Sequence, residues 1–269
     1  MNDDHLISQS EPATAPSRHS AAYDYLSYGS FKGSTAATPH GWLVRAARKL
    51  GLRNRYLRFV RDRPRNEPLI EIGCGNGAFM REVLDAGFER VVGLEPSPSY
   101  APVVDPGLIV RAYAQEFFDP LAQGSIGTVV ALDVFEHIPA VDLSALLRCI
   151  ESRLAPGGAL VIRVPNLASP LSLFNFFGDL SHTTPLNEMS MRQLAHDTQF
   201  GKIRFHAEPF AYPRTLAAVF GIVIWGIYRL TTCALLAAFG VKAQVLTPNL
   251  ICVLTKDNAI RAVRDKAPQ

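Results

Sequence analysis

From residue 69 onward the chain alternates short apolar runs with spacers of helical pattern. The runs Leu69–Ile72, Val91–Leu94, Leu108–Val110, Thr128–Leu132 and Ala159–Val164 predict strands, and Ala78–Ala86 and Leu143–Leu154 predict helices between them. The stretch Ala155–Gly158, "APGG", predicts a turn into the fifth strand. Strands alternating with helices imply an α/β fold whose sheet is mostly parallel and covered by helices. Two later runs, Lys202–Phe210 and Asn249–Thr255, are expected to add antiparallel strands. Upstream, an aromatic-rich stretch, "AAYDYLSYGSFKG", precedes a predicted helix from about Trp42 to Arg61.

This pattern divides the chain into a disordered tail at 1–20, a basic N-terminal helical cap at 21–66 and a core at 67–214. An apolar helical insertion at 215–248, a final core strand at 249–257 and a tail at 258–269 complete it. The insertion holds Thr215 to Gly240, whose only charge is Arg229. At about 1.5 Å per residue it is long enough for a bilayer, but a central Arg, Thr231, Thr232 and two glycines weigh against a span. Three arrangements stay open: a buried or oligomer-forming helix pair, a helix lying in a membrane interface, and a span.

Composition adds a sizeable core, with 48% apolar and 19% charged residues in 269. The net charge of +3 is too small to argue for nucleic acid, but it is unevenly placed. Between Gly41 and Arg65 nine basic residues face one acid, Asp62, so this segment carries +8 and the remainder −5. Cys74, Cys149, Cys233 and Cys252 lie far apart with no C-x-x-C pair, which fits buried or incidental thiols in a reducing compartment. The polar, acidic N-terminus is unlike a signal peptide, so a cytoplasmic protein is expected.

The candidate chemistry centres on "LIEIGCGNGAF", Leu69 to Phe79, with glycines at 73, 75 and 77. A strand, a glycine loop and a helix place free backbone N–H groups and a positive helix end at one spot, which suits the polar or anionic part of a nucleotide-like ligand. Gly73, Gly75 and Ala78 satisfy the dinucleotide pattern G-x-G-x-x-G/A, so a nicotinamide cofactor stays open. Glu71, at the strand's end beside the loop, suits a ligand with positive charge better than a pyrophosphate. Glu95 ends the second strand twenty residues after Gly75, where a carboxylate accepts hydrogen bonds from ribose hydroxyls.

Taken with their surroundings these residues resemble the class I S-adenosylmethionine-dependent methyltransferases. "EIGCGNG" is similar to the family's first motif, "GLEPS" to its second-strand acidic motif, "VVALDVFEHI" to its fourth-strand motif and "LAPGGALVIRVPN" to its fifth-strand turn. The resemblance covers roughly Leu69 to Asn166 and implies a doubly wound, Rossmann-like sheet of seven strands ending in a hairpin. It also implies that Gly73, Gly75 and Gly77 approach the methionine portion of S-adenosylmethionine, with Glu71 near its ammonium and sulfonium end. Glu95 would hold the ribose, Pro96 would pack on adenine, and Ala114 and Gln115 would border it.

The "DVFEHI" stretch places Asp133, Glu136 and His137 just beyond an apolar strand. Its plainer reading needs no metal: Asp133 lines the cofactor pocket while Glu136 and His137 start a helix. The alternative follows from the resemblance, since some members that methylate hydroxyls carry an acid-x-x-Glu-His cluster that holds a divalent ion. Such members usually have Glu where this chain has Asp133. Further on, "GDLSHTTPLNEMSMRQLAHDTQF" resembles the stretch after the fifth strand in members acting on small molecules or sugars. His182 is the candidate general base there, because its ordinary pKa of about 6.5 suits it to accept a hydroxyl proton; a metal shared with Glu136 and His137, and a hydrogen-bonded surface residue without chemistry, stay open.

The expected function is therefore methylation of a small-molecule or saccharide hydroxyl with S-adenosylmethionine. The basic segment and the apolar insertion together suit peripheral contact with the inner face of a membrane. A looser resemblance, to methyltransferases of bacterial surface-glycan synthesis, adds a lipid-linked saccharide as an acceptor, and no nucleic-acid partner is expected. Two other readings stay open: an NAD(P)-dependent oxidoreductase, and a non-catalytic membrane-associated module with a relict cofactor pocket.

Overall fold

The structure is a computed structural model that describes residues 55–98, 100–196, 198–208, 216–241 and 245–257. The expected tails, and most of the basic cap, lie outside these residues. Of the predicted Trp42–Arg61 helix, the described part holds only a short 3-10 turn at Leu57–Phe59.

Seven strands form one sheet: β1 (Leu69–Ile72), β2 (Val91–Leu94), β3 (Ile109–Val110), β4 (Ile126–Leu132), β5 (Leu154–Pro165), β6 (Phe200–Ala207) and β7 (Asn249–Lys256). The helices are α1 (Ala78–Asp85), α2 (Ala114–Phe118), α3 (Ala140–Arg153), α4 (Ser172–Phe177), α5 (Glu188–His196) and α6 (Leu216–Ala238). Strand order is β3-β2-β1-β4-β5-β7-β6. Strands β1 to β5 pair in parallel, while β7 is antiparallel to both β5 and β6. Strand β6 therefore runs with the first five. Only β7 is reversed, where two antiparallel strands were expected.

The strands are apolar on both faces because both faces are covered. Ile70, Ile72, Val129, Ala131, Leu160 and Ile162 meet Leu143, Leu147 and Ile150 of α3 and Met191 of α5 on one side. Leu69, Val130, Val161 and Ile251 meet Phe79, Met80 and Val83 of α1 and Leu57 and Val60 of the N-terminal turn on the other. Leu143, Leu147 and Ile150 recur at three- and four-residue spacing, so one face of α3 is apolar. Burying one such side chain fully contributes about 1.5–3 kcal/mol.

Two boundaries differ from expectation for a stated reason. The "APGG" stretch lies inside β5, because Ile126 pairs Leu154 and Thr128 next pairs Ala159, so the strand absorbs the extra residues as an irregularity. Gly157 takes a positive φ of 75° within it. Among its described residues the apolar insertion holds one helix, α6, where a pair was one expectation, and from Val223 to Ala238 that helix is not buried. Trp225, Tyr228, Thr232 and Leu236 form a half-buried stripe, whereas Ile224, Ile227, Leu230 and Leu235 face solvent, Leu230 at 72% exposure. Among the described residues no helix is long and apolar enough to cross a membrane.

Candidate active site

The carboxyl ends of β1, β2, β4 and β5 lie side by side, and the segments that follow β1, β2 and β4 leave from that edge. After β1 the chain turns at Gly73 and Gly75, and Gly77 caps α1, with φ of 67°, 54° and 78°. These values are costly for any residue with a Cβ. The loop is clamped to β2, since the N–H groups of Gly73 and Cys74 both donate to the Leu94 carbonyl at 2.8 and 3.0 Å. Gly73 and Gly77 lack side chains for packing reasons: a Cβ would come within 2.5 Å of Val134 Cγ2 and 2.7 Å of Val104 Cγ2. Gly75 differs, because its nearest neighbour would be the Tyr100 ring at 3.9 Å. Space is open in front of that glycine alone of the three.

Glu95 is buried at the end of β2 and accepts the Gly75 N–H on one oxygen and the Ser97 N–H on the other, each at 2.9 Å. Burial raises its pKa, and those two N–H donors and the charge of Arg111 oppose the rise. A carboxylate has about four lone-pair sites, so Glu95 retains acceptor capacity for hydroxyls. Pro96 follows it, half-buried. Glu71 is buried beneath the loop, where it accepts the Met80 N–H in the first turn of α1. Its Oε2 is enclosed and meets no hydrogen-bond donor of the protein, and burial pushes its pKa up. Gln115 lies exposed on α2 and donates to Asp119 along its own helix at 2.7 Å.

The fourth-strand motif splits into two environments. Asp133 is the one non-glycine residue with positive φ (58°) among those described, and its carboxylate is paired with Arg163 of β5. Arg163 also bonds Glu208 at 3.1 Å and lies over the Tyr56 ring. Glu208 in turn accepts the Tyr56 hydroxyl at 2.5 Å and the Asn249 amide at 2.6 Å. Burial pushes the Glu208 pKa up, but Arg163, Asn249 and Tyr56 outweigh it and hold the group low. This network ties the N-terminal turn to the sheet and commits the Asp133 carboxylate to Arg163.

Glu136 and His137 close a 3-10 turn, Phe135–His137, instead of starting a helix; α3 begins at Ala140, after Pro139. The loop 179–184 is zipped to this turn: the Thr183 and Thr184 N–H groups donate to the Glu136 carbonyl at 2.8 and 3.1 Å, and the Thr184 hydroxyl donates to the Ile138 carbonyl. His182 is thereby set against His137, ring centroids 4.6 Å apart, with Phe176 behind it. Its side chain is 7% exposed, and its Nε2 lies 3.9 Å from a Glu136 oxygen and 3.6 Å from an Asp179 oxygen. Ser181 links Asp179 and His137, at 2.6 and 2.9 Å. The structure thus brings Glu136, His137 and His182 together and leaves Asp133 outside the group. Asp179, Ser181, Tyr100, Arg163 and Glu208 were not among the residues expected from sequence; only "GDLSH" and "PSPSY" carried a local hint of the first three.

The profile of the family described as "Methyltransferase domain" matches residues 44–211. A curated relative, a tRNA U34 carboxymethyltransferase of Cellvibrio japonicus, is 33% identical over 104 residues. That alignment covers 35% of this chain, and the chain spans about a third (31%) of the relative's length. A solved S-adenosylmethionine-dependent methyltransferase of Archaeoglobus fulgidus superimposes with a TM-score of 0.60 at 20% identity, covering 87% of this chain and 100% of that one. A chain of the Haloferax volcanii complex between the Trm112 methyltransferase activator and a methyltransferase gives 0.55 at 17%, covering 84% and 97%. The family match overturns the nicotinamide alternative: the cofactor is S-adenosylmethionine.

Proposed function

Because the chain belongs to the methyltransferase-domain family and is an S-adenosylmethionine-dependent enzyme, we propose that it O-methylates a small-molecule or saccharide hydroxyl at a membrane surface. The observation that carries the hydroxyl reading is the Glu136–His137–His182 group, formed by the turn after β4 and the loop 179–184 paired with it, beside the strand that bears the glycine loop. When bound, the cofactor supplies an electrophilic methyl group on its sulfonium. Glu95 would hold ribose hydroxyls with its remaining lone pairs, and Pro96 and Tyr100 would flank the base. The enclosed Oε2 of Glu71 favours a positively charged ligand end above the loop, and Gly75 leaves room for it. The cofactor would supply that methyl group to the acceptor oxygen, and the Glu136–His137–His182 group would take up the hydroxyl proton. Positioning of this kind supplies roughly 7–11 kcal/mol of a barrier.

Surface chemistry supports the membrane part. Phe174 and Phe177 of α4 are 87% and 71% exposed, and Leu180 follows them. Helix α6 adds its own exposed apolar face, and Ser169, just before α4, hydrogen-bonds Tyr228 of α6 at 3.0 Å. Phe176, between the two exposed phenylalanines, backs His182. Apolar surface beside the site, with a segment of charge +8 in the same chain, suits an anionic bilayer. The tRNA-modifying relative shares too short a stretch to lend this chain its acceptor.

The test supplies methyl-labelled cofactor with one saccharide presented two ways, free in water and on a polyprenyl phosphate in phosphatidylglycerol vesicles. Label in an alkali-stable ether, formed faster on the vesicle-borne acceptor, is expected. Label on amines or carboxylates would overturn the hydroxyl reading, and equal rates would overturn the membrane reading. Tight cofactor binding without transfer to any acceptor would favour the non-catalytic module.

A further inference from the structure

We propose that Glu136, His137 and His182, with Asp179 beside them, form a binding site for one divalent first-row transition cation. One ligand atom from each of the first three lies within 4.8 Å of the others, on turns fixed by backbone hydrogen bonds.

The protons on the two imidazoles point the same way. His182 Nδ1 faces the Phe176 carbonyl at 2.9 Å, and a carbonyl only accepts, so Nδ1 carries the proton and Nε2 the lone pair. Ser181 donates its hydroxyl proton to Asp179 at 2.6 Å, so at 2.9 Å from His137 Nδ1 its oxygen must accept. His137 Nδ1 is then the donor, and its Nε2 also carries a lone pair. Ring nitrogens fixed in this way by a carbonyl and by a hydroxyl–carboxylate relay are what metal-ligating histidines require of their surroundings.

The spacing agrees. His182 Nε2 sits 3.9 Å from Glu136 and 3.6 Å from Asp179, too far for a hydrogen bond to either. Ligand atoms that each lie about 2.1 Å from one ion are roughly 3–4 Å apart. Two imidazole nitrogens with carboxylate oxygens suit zinc, iron, cobalt or nickel better than magnesium or calcium. The donor set also differs from an acid-x-x-Glu-His cluster, because Asp133 is spent on Arg163 and His182 takes its place. When bound, the ion supplies Lewis acidity that lowers the pKa of a nearby hydroxyl, and His182 serves as a ligand rather than as the base. That catalytic use rests on the hydroxyl reading above; the binding itself does not.

The full chain, stripped with chelator, is titrated with Co2+ by visible absorption and with Zn2+ by calorimetry. One site is expected, with affinity lowered at least about tenfold by His137→Ala, His182→Ala or Glu136→Gln, and by Ser181→Ala, which removes the hydroxyl that joins His137 to Asp179. His196→Ala, on α5, should leave it unchanged. Retained S-adenosylhomocysteine binding shows that each variant is folded. Absence of metal binding, or binding that His182→Ala leaves intact, overturns the site. Chelator-insensitive hydroxyl methylation by the same protein would overturn the ion's catalytic use while leaving the proposed function standing; metal binding without hydroxyl methylation would uphold the site and overturn the hydroxyl reading.

Discussion

Alanine at each of the three loop glycines separates backbone strain from ligand space. All three positions have positive φ, so each substitution costs about 1–2 kcal/mol from the left-handed conformation alone. At Gly73 and Gly77 the new methyl would also collide with Val134 at 2.5 Å and Val104 at 2.7 Å, and such overpacking adds about 1–3 kcal/mol. At Gly75 the Tyr100 ring at 3.9 Å is in ordinary contact and adds nothing. Urea unfolding without ligand should therefore show Gly75→Ala as the least damaged, by about 1–2 kcal/mol, against about 2–5 kcal/mol for the other two. Affinity for S-adenosylhomocysteine, measured on folded protein by calorimetry, should fall in the opposite order. Gly75→Ala should lose at least about tenfold, or ~1.4 kcal/mol, because its methyl occupies ligand space. If Gly75→Ala binds within a factor of two of wild type, the open space at that glycine is not where the cofactor lies. If Gly73→Ala is no less stable than Gly75→Ala, the Val134 contact does not set the packing.

Glu95→Gln should weaken S-adenosylhomocysteine binding and destabilise the protein by about 1.5–3 kcal/mol, since an amide can accept only one of the Gly75 and Ser97 N–H groups and presents a donor to the other; calorimetry and urea melts check it. Glu71 has a raised pKa in the folded state, so its charge lowers stability above that pKa and the penalty fades as pH falls through it. Glu71→Gln should accordingly stabilise the ligand-free protein at pH 8, by an amount that shrinks on acidification, and should weaken S-adenosylmethionine binding. Glu208 has the opposite sign: its folded pKa lies below the unfolded value, so its contribution is full above that value and is lost as pH falls through the folded one. Thermal melts of Glu208→Gln and wild type should differ at pH 7 and converge in acid. Arg163→Met should cost about 1–3 kcal/mol in urea melts, because it removes the cation of Asp133 and leaves the half-buried Glu208 with Arg55 alone, at 3.7 Å.

The parts of this molecule legible in sequence are those set by local rules. The β1 and β2 boundaries follow from short runs of mostly apolar residues, LIEI and VVGL, and the glycine loop shows itself because positive φ selects glycine whatever the surroundings. What stayed hidden depends on residues distant in the chain. Nothing near Asp133 announces that Arg163, thirty residues on, takes its carboxylate, or that Glu208 and Tyr56 complete that network across 152 positions. The alliance of His182 with His137 needs Thr183 and Thr184 to pair with the Glu136 carbonyl, a tertiary contact without periodicity. The reversal of β7 alone is likewise set by how the chain returns after α6, and not by the pattern of β6 or β7. Helix α6 was legible as apolar, but apolarity gives no direction of burial, and its exposed face appears only when the sheet is in place.

The most direct test of the central claim is calorimetric titration of the purified chain with S-adenosylhomocysteine, with NAD and NADP as controls. Saturable one-site heat from S-adenosylhomocysteine alone, lost in Gly75→Arg, is the predicted result. Heat from a nicotinamide cofactor with none from S-adenosylhomocysteine, or full binding in Gly75→Arg, would contradict a methyl-donor pocket built on the Gly73–Gly77 loop.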